Sequence, residues 1–267
     1  MVKLLRRFGF ACAAALSMLC GTSAALRAAD VTPQELTVDA SDIRAPIKLF
    51  RALHDGERPA VIILHTRQGL ARFSAIYDRY AQALAAKDID AVEMSYYDET
   101  DAAMMASSDR AARQSYFSAH LPAWSKRVHD VVSVMTARPD SSGKIGLLGF
   151  SNGGFLAVAS AIADPRINAL VVFYAGLPDL TANSGGRLPP LLALHGDGDP
   201  VIPLSSGREL VERARALGGQ AELIVYPGAG HGFDFDLSRH DATDAAERAV
   251  NFLAQNLLAH ETRPSSD

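Results

Sequence analysis

The sequence predicts an α/β fold with a mostly parallel sheet and helices on both faces. Three observations carry that prediction. Apolar β-rich runs alternate with helical patterns along most of the chain, which is how a parallel sheet joined by crossover helices reads. The inner runs, residues 60–65 above all, are apolar at nearly every position, as strands covered on both faces must be. The chain has 267 residues, 48% of them hydrophobic and 21% charged, the balance of a globular enzyme.

The elements follow in order. Residues 36–38 and 47–53 read as an opening antiparallel pair. Residues 60–65 are a buried strand. Residues 73–86 carry Ile76, Tyr80 and Leu84 on one helical face. Residues 90–96 are a strand. Residues 98–117 are polar and predicted to be irregular, an insertion or lid. Residues 123–136 are helical and end before Pro139 and Gly143. Residues 144–150 form a strand and 153–163 a helix of small residues. Strands at 167–174 and 191–195, a helix at 204–217 stopped by Gly218-Gly219, a strand at 222–226 and a terminal helix at 242–258 complete the chain. There is no internal repeat, low-complexity stretch or linker, so residues 25–267 are expected to form a single domain.

The first 24 residues read differently. Lys3, Arg6 and Arg7 precede an apolar run of about a dozen residues, then Thr22-Ser23-Ala24. This is the pattern of a cleaved export signal. The run is short of the roughly 20 residues that span a bilayer. The mature protein is therefore expected to be periplasmic or secreted, with no membrane contact after cleavage. Both cysteines, Cys12 and Cys20, lie in this segment. The mature chain then has neither a disulfide nor a thiol nucleophile. The net charge of −4 gives no field to draw nucleic acid.

Sheets of this kind carry their sites just beyond the carboxyl ends of the strands. Three segments put reactive side chains there. Gly149-Phe150-Ser151-Asn152-Gly153-Gly154 follows one strand and opens a helix. A serine at such a sharp turn needs glycines about it. The turn lifts the hydroxyl above the sheet and aims the Asn152 backbone N–H at any oxyanion nearby. The second segment is His195-Gly196-Asp197-Gly198-Asp199-Pro200, a loop carboxylate able to orient a histidine. Asp199, stiffened by Pro200 to Pro203, is favoured over Asp197. A metal cluster of His195, Asp197 and Asp199 lacks a regular ligand geometry, so no metal or other cofactor is expected. The third segment is Tyr226-Pro227-Gly228-Ala229-Gly230-His231-Gly232-Phe233, a small-residue loop after the last strand. The order serine, aspartate, histidine is that of the α/β hydrolases. A second oxyanion donor is expected from the loop after residues 60–65, as the Arg67 backbone N–H, with Thr66 or Gln68 as alternatives.

These segments, their order and their spacing resemble the dienelactone hydrolase family within the α/β hydrolases, over about residues 59–258. The resemblance implies Ser151 as nucleophile, Asp199 as acid and His231 as base. Three features depart from the best-known members of that family. They use a cysteine nucleophile where this chain has Ser151. They also carry a glutamate in the loop that here reads His65-Thr66-Arg67-Gln68, and an arginine shortly after the catalytic histidine, where this chain has Asp234-Phe235. The expected activity is hydrolysis of a small-molecule carboxylic ester or lactone, by a monomer or homodimer. Gln68, Phe233 and Phe235 are the expected pocket residues, the phenylalanines forming an aromatic wall with acidic neighbours that suits a neutral acyl chain. A small-peptide serine peptidase, and a non-catalytic binding protein on the same scaffold, are the alternatives.

Overall fold

The computed structural model describes residues 31–179 and 185–258. The leader at 1–24, both cysteines and His260 lie outside them. Eight strands form one sheet: β1 (Gln34–Ala40), β2 (Ile43–Phe50), β3 (Arg58–Leu64), β4 (Asp90–Met94), β5 (Ser141–Phe150), β6 (Ile167–Phe173), β7 (Leu191–Gly196) and β8 (Ala221–Tyr226). Their order is β1-β2-β4-β3-β5-β6-β7-β8. β1 and β2 pair antiparallel, as does β2 with β4, and every pairing from β4 to β8 is parallel.

The sheet separates two cores, because successive side chains on a strand face opposite ways. Ile62, Leu64 and Leu147 point to the face covered by α3 (Arg110–Thr136), α4 (Asn152–Ala163) and α5 (Leu204–Ala216). Val61, Ile63 and Leu148 point to the face covered by α1 (Ser74–Ala85) and α6 (His240–Leu257). Both faces are thus dry, which is why the inner strands read as largely apolar runs. No helix among the described residues is long and apolar enough to cross a membrane.

Residues 98–117 depart from the expected irregular segment. They form α2 (Glu99–Ala106) and the first two turns of α3. Asp98 and Asp101 close a reciprocal capping box at the start of α2. The Asp109 carboxylate accepts from the Ala112 N–H at 3.0 Å and opens α3. The latter helix runs through Pro122 and begins at Arg110, whereas the sequence predicts a helix only over residues 123–136. Helix α2 is tied down by a buried carboxylate: Asp101 accepts from Trp124 Nε1 at 3.0 Å, the Tyr116 hydroxyl at 2.9 Å and Arg127 Nη1 at 2.5 Å. The α2–α3 segment is therefore a packed wall standing over the carboxyl ends of the central strands.

Candidate active site

The β5–α4 turn places Ser151. Its backbone sits at φ 54° and ψ −118°, a strained conformation at the junction of strand and helix. Glycine is required on both sides. A Cβ on Gly149 would lie 2.3 Å from the Gly153 carbonyl oxygen, and one on Gly153 would lie 2.3 Å from the Leu64 carbonyl oxygen. The Ser151 N–H donates to Phe173 O at 3.0 Å, tying the turn to β6.

The loop after β8 brings His231 over this turn. Its Nε2 stands 3.0 Å from Ser151 Oγ, and its Nδ1 stands 2.7 Å from Asp199 Oδ2. Asp199 comes from the loop after β7, and its other oxygen accepts from the N–H groups of Val201 (2.7 Å) and Ile202 (3.0 Å). Burial pushes the Asp199 carboxyl pKa up, yet bonds from His231 and these two amides outweigh it, and the net shift is downward. The aspartate that reaches the imidazole is Asp199. Asp197 is exposed and accepts from the Gly228 N–H at 2.6 Å instead. The Tyr174 ring, centred 4.5 Å from the His231 ring, supports the imidazole from below. His195 is buried behind Asp199 and holds the acid loop through Ile202 O at 3.0 Å. Burial lowers its pKa, which keeps it neutral.

A cavity of about 810 Å³ opens above Ser151, and Arg67, Gln68, Asn152 and His231 are among its lining residues. Of the amides on the loop after β3, that of Thr66 is already committed to the Tyr77 hydroxyl at 3.0 Å. Arg67 and Asn152 remain at the cavity wall beside Ser151. No group of three or more His, Cys, Asp or Glu side chains that could hold a metal occurs among the described residues.

Phe233 and Phe235 are not pocket residues. Gly232, at φ 75°, turns the chain so that residues 233–235 fold inward. Phe235 packs on Phe73 (4.6 Å between ring centres) and near Phe150 (6.1 Å), while Phe233 packs on Tyr226 (4.7 Å). Asp234 between them is fully buried and accepts from the Tyr80 hydroxyl at 2.8 Å. Burial pushes its pKa up to about 6. Of the expected aromatic wall with acidic neighbours, Phe233 and Asp234 are therefore core, Phe235 packs half-buried against it, and Asp236 is exposed. The cavity wall is built instead by α3 (Arg110, Arg113, Phe117 and Leu121), by Phe155 on α4, and by the loops after β6 and β7. The spacing of Arg110, Arg113, Phe117 and Leu121 is that of one helical face, the signal that could have found them.

Fold and site define the class: this is an α/β hydrolase. The chain belongs to the dienelactone hydrolase family, whose sequence profile matches residues 47–260. A candidate carboxymethylenebutenolidase of Salmonella typhimurium is 31% identical over 122 residues, 41% of this chain and 45% of that protein. The chain thus spans less than half the length of this relative. Dienelactone hydrolase from Anabaena variabilis superposes with a TM-score of 0.67 at 20% identity, covering 84% of this chain and 99% of that one. An acylaminoacyl peptidase from Pyrococcus horikoshii superposes with a TM-score of 0.70 at 13% identity, covering 90% of this chain but 44% of the peptidase. These structural likenesses carry the fold.

Proposed function

We propose that this protein is a serine hydrolase that cleaves carboxylic esters or lactones through an acyl-enzyme. The observation that carries the reading is the hydrogen-bonded chain Ser151 Oγ–His231–Asp199 Oδ2, at 3.0 and 2.7 Å. His231 Nε2 takes the hydroxyl proton as Oγ attacks the carbonyl carbon, and Asp199 steadies the imidazolium. The backbone N–H groups of Asn152 and Arg67 hold the oxyanion. His231 then protonates the leaving oxygen, and water repeats the sequence on the acyl-enzyme. Base assistance supplies about 10²–10⁴-fold and each oxyanion donor about 10²–10³-fold. The leader-like residues 1–24 support export of this enzyme.

The cavity wall bears on substrate charge. With Arg67, Arg110 and Arg113 on it, a carboxylate entering the site meets cations that offset its desolvation. This supports anionic esters over the neutral ones suggested by an aromatic wall, and it suits a lactone carrying a carboxyl group, the substrate that the relatives' name denotes. The test is hydrolysis of p-nitrophenyl acetate by the purified protein. Turnover that persists in EDTA and falls by more than about 10²-fold in Ser151→Ala is expected; Ser151→Ala turning over like the wild type would overturn the assignment.

A further inference from the structure

A second histidine, His65, lies fully buried just past the carboxyl end of β3 and takes no part in the hydrogen-bonded chain from Ser151 to Asp199. Its Nδ1 stands 2.7 Å from Thr66 O. A carbonyl oxygen only accepts, so Nδ1 carries the proton and donates it. Burial pushes the imidazole pKa down to about 4, so the ring is neutral and Nε2 bears a lone pair. That Nε2 is buried with no hydrogen-bond partner. The ring lies flat on Tyr96, with 3.9 Å between centres and 10° between planes, and meets Tyr97 edge-on. An apolar side chain would fill this place at less cost, because a buried acceptor without a donor is destabilising. The one polar contact the ring makes is the bond to Thr66 O, and its value lies in what that carbonyl controls.

Two consecutive peptide groups meet at Thr66, and among the described residues three of their four polar ends have partners. In the first, the His65 carbonyl accepts from the Tyr96 hydroxyl at 2.9 Å and the Thr66 N–H donates to the Tyr77 hydroxyl at 3.0 Å. In the second, the Thr66 carbonyl accepts from His65 Nδ1 and from the Gly69 N–H at 3.1 Å. The fourth end is the Arg67 N–H, which lies trans to that carbonyl across a planar bond. Arg67 lines the cavity beside Ser151. Holding Thr66 O therefore sets the direction of the Arg67 N–H. A donor on the carbonyl also polarises the amide, so that its N–H donates more strongly. The segment carrying the Asn152 amide is fixed to the same peptide. A Cβ on Gly153 would lie 2.4 Å from His65 O, so the start of α4 packs directly against it.

Resting on the hydrolase reading above, we propose that His65 is a positioning residue for the oxyanion site: its Nδ1–H, bonded to Thr66 O, holds the Thr66–Arg67 peptide plane so that the Arg67 N–H faces the oxygen on which charge develops. His65 is not among the residues of the cavity wall, and it moves no proton in the reaction. Its effect is felt where the carbonyl oxygen becomes negative, in the transition state more than in the bound ester. It therefore acts on kcat and leaves KM nearly as it was.

Two replacements of nearly equal size separate the hydrogen bond from the bulk of the ring. In His65→Asn the amide nitrogen falls where Nδ1 was and can donate to Thr66 O. In His65→Leu the branching is the same and there is no donor. Both lose the ring on Tyr96. His65→Leu should lower kcat for p-nitrophenyl acetate by at least about tenfold, with KM within about threefold of wild type. His65→Asn should keep at least about five times the kcat of His65→Leu, although the apolar leucine should give a Tm at least as high. His65→Phe keeps a ring against Tyr96 but donates nothing. Its kcat should fall as that of His65→Leu does, and it carries the test if the leucine variant does not fold. Equal kcat in folded asparagine and donor-free variants, activity that follows Tm across the series, or a loss carried by KM would each overturn the proposal. Fluorophosphonate labelling of the wild type, run first, separates the two levels of the argument. Labelled Ser151 with donor-free variants at wild-type kcat sinks this inference alone, while an unlabelled Ser151 and no turnover by the wild type sinks the hydrolase reading and this inference with it.

Discussion

Replacing Asp199 by asparagine should disable His231 without unfolding the loop that carries it. Asp199 Oδ1 accepts two backbone N–H groups, from Val201 at 2.7 Å and Ile202 at 3.0 Å. Only an oxygen can fill that position, so the asparagine carbonyl must go there. Its NH₂ group then occupies the place of Oδ2, 2.7 Å from His231 Nδ1. A donor facing Nδ1 forces the imidazole proton onto Nε2, the atom 3.0 Å from Ser151 Oγ. Nε2 can then donate but not accept, and the base is lost. The cost expected of a wrong tautomer is about 10⁴-fold in kcat, some 5 kcal/mol. Asp197 gives the contrast. Its carboxylate accepts a single N–H, from Gly228 at 2.6 Å, and an asparagine oxygen can do the same. Asp197→Asn should stay within about threefold of wild type, as for a surface change worth about 0.5 kcal/mol. Steady-state hydrolysis of p-nitrophenyl acetate by both variants decides it, with thermal melts to show that each is folded. Folded Asp199→Asn with more than about 1% of wild-type kcat, or a larger loss in Asp197→Asn, would refute the reasoning.

Two further outcomes follow from the segment after His231. The buried Asp234 carboxyl has its pKa pushed up by burial to about 6, so the folded chain holds that proton more tightly than the unfolded one. Its contribution to stability is present below about pH 4 and is lost as the pH rises through about 6, by up to about 3 kcal/mol. Asp234→Asn should therefore raise Tm relative to wild type at pH 8 by more than it does at about pH 4; equal differences at the two pH values would contradict this. Phe235→Ala should lower stability by about 1–2 kcal/mol, less than for a fully buried ring, since its half-buried ring packs on Phe73, Tyr77 and Phe150. It should leave the acetate-to-butyrate preference unchanged, whereas Phe155→Ala, which alters the cavity wall, should shift it. A changed preference in Phe235→Ala would return that residue to the pocket.

What could be read in advance, and what could not, follows from how each feature is encoded. The inner strands are legible because burial on both faces leaves a single polar position in each of β3, β6 and β7 (Arg58, Asn168 and His195), too few to confuse the pattern. Ser151, Asp199 and His231 are legible because each sits in a short segment just past a strand, with glycines wherever the backbone must pass close. The wall over the site is not. Helix α3 has a weakly amphipathic sequence, since its inner face carries Arg110 and Arg113 over a cavity and the buried Arg127 on the Asp101 network. Pro122, just before the predicted helix start at residue 123, stands exposed in the helix, which continues through it. The capping pairs at Asp98 and Asp109 are the local signals that mark both helix starts. Phe233 and Phe235 look like pocket residues because they follow a catalytic-type histidine. Their inward turn depends on Gly232 at positive φ, and on the Tyr80 hydroxyl 154 residues away donating to Asp234 Oδ2. Such a long-range hydrogen bond to a buried carboxyl is invisible in a local pattern.

The most direct measurement is the site of covalent capture. A fluorophosphonate reacts with a serine only where a neighbouring base and an oxyanion site activate it. Intact protein incubated with the probe, digested and sequenced by mass spectrometry, should carry one adduct, on the peptide containing Ser151. Labelling should slow by at least about 10²-fold in His231→Ala. An adduct on another residue, or Ser151 labelled as fast without His231 as with it, would contradict the account.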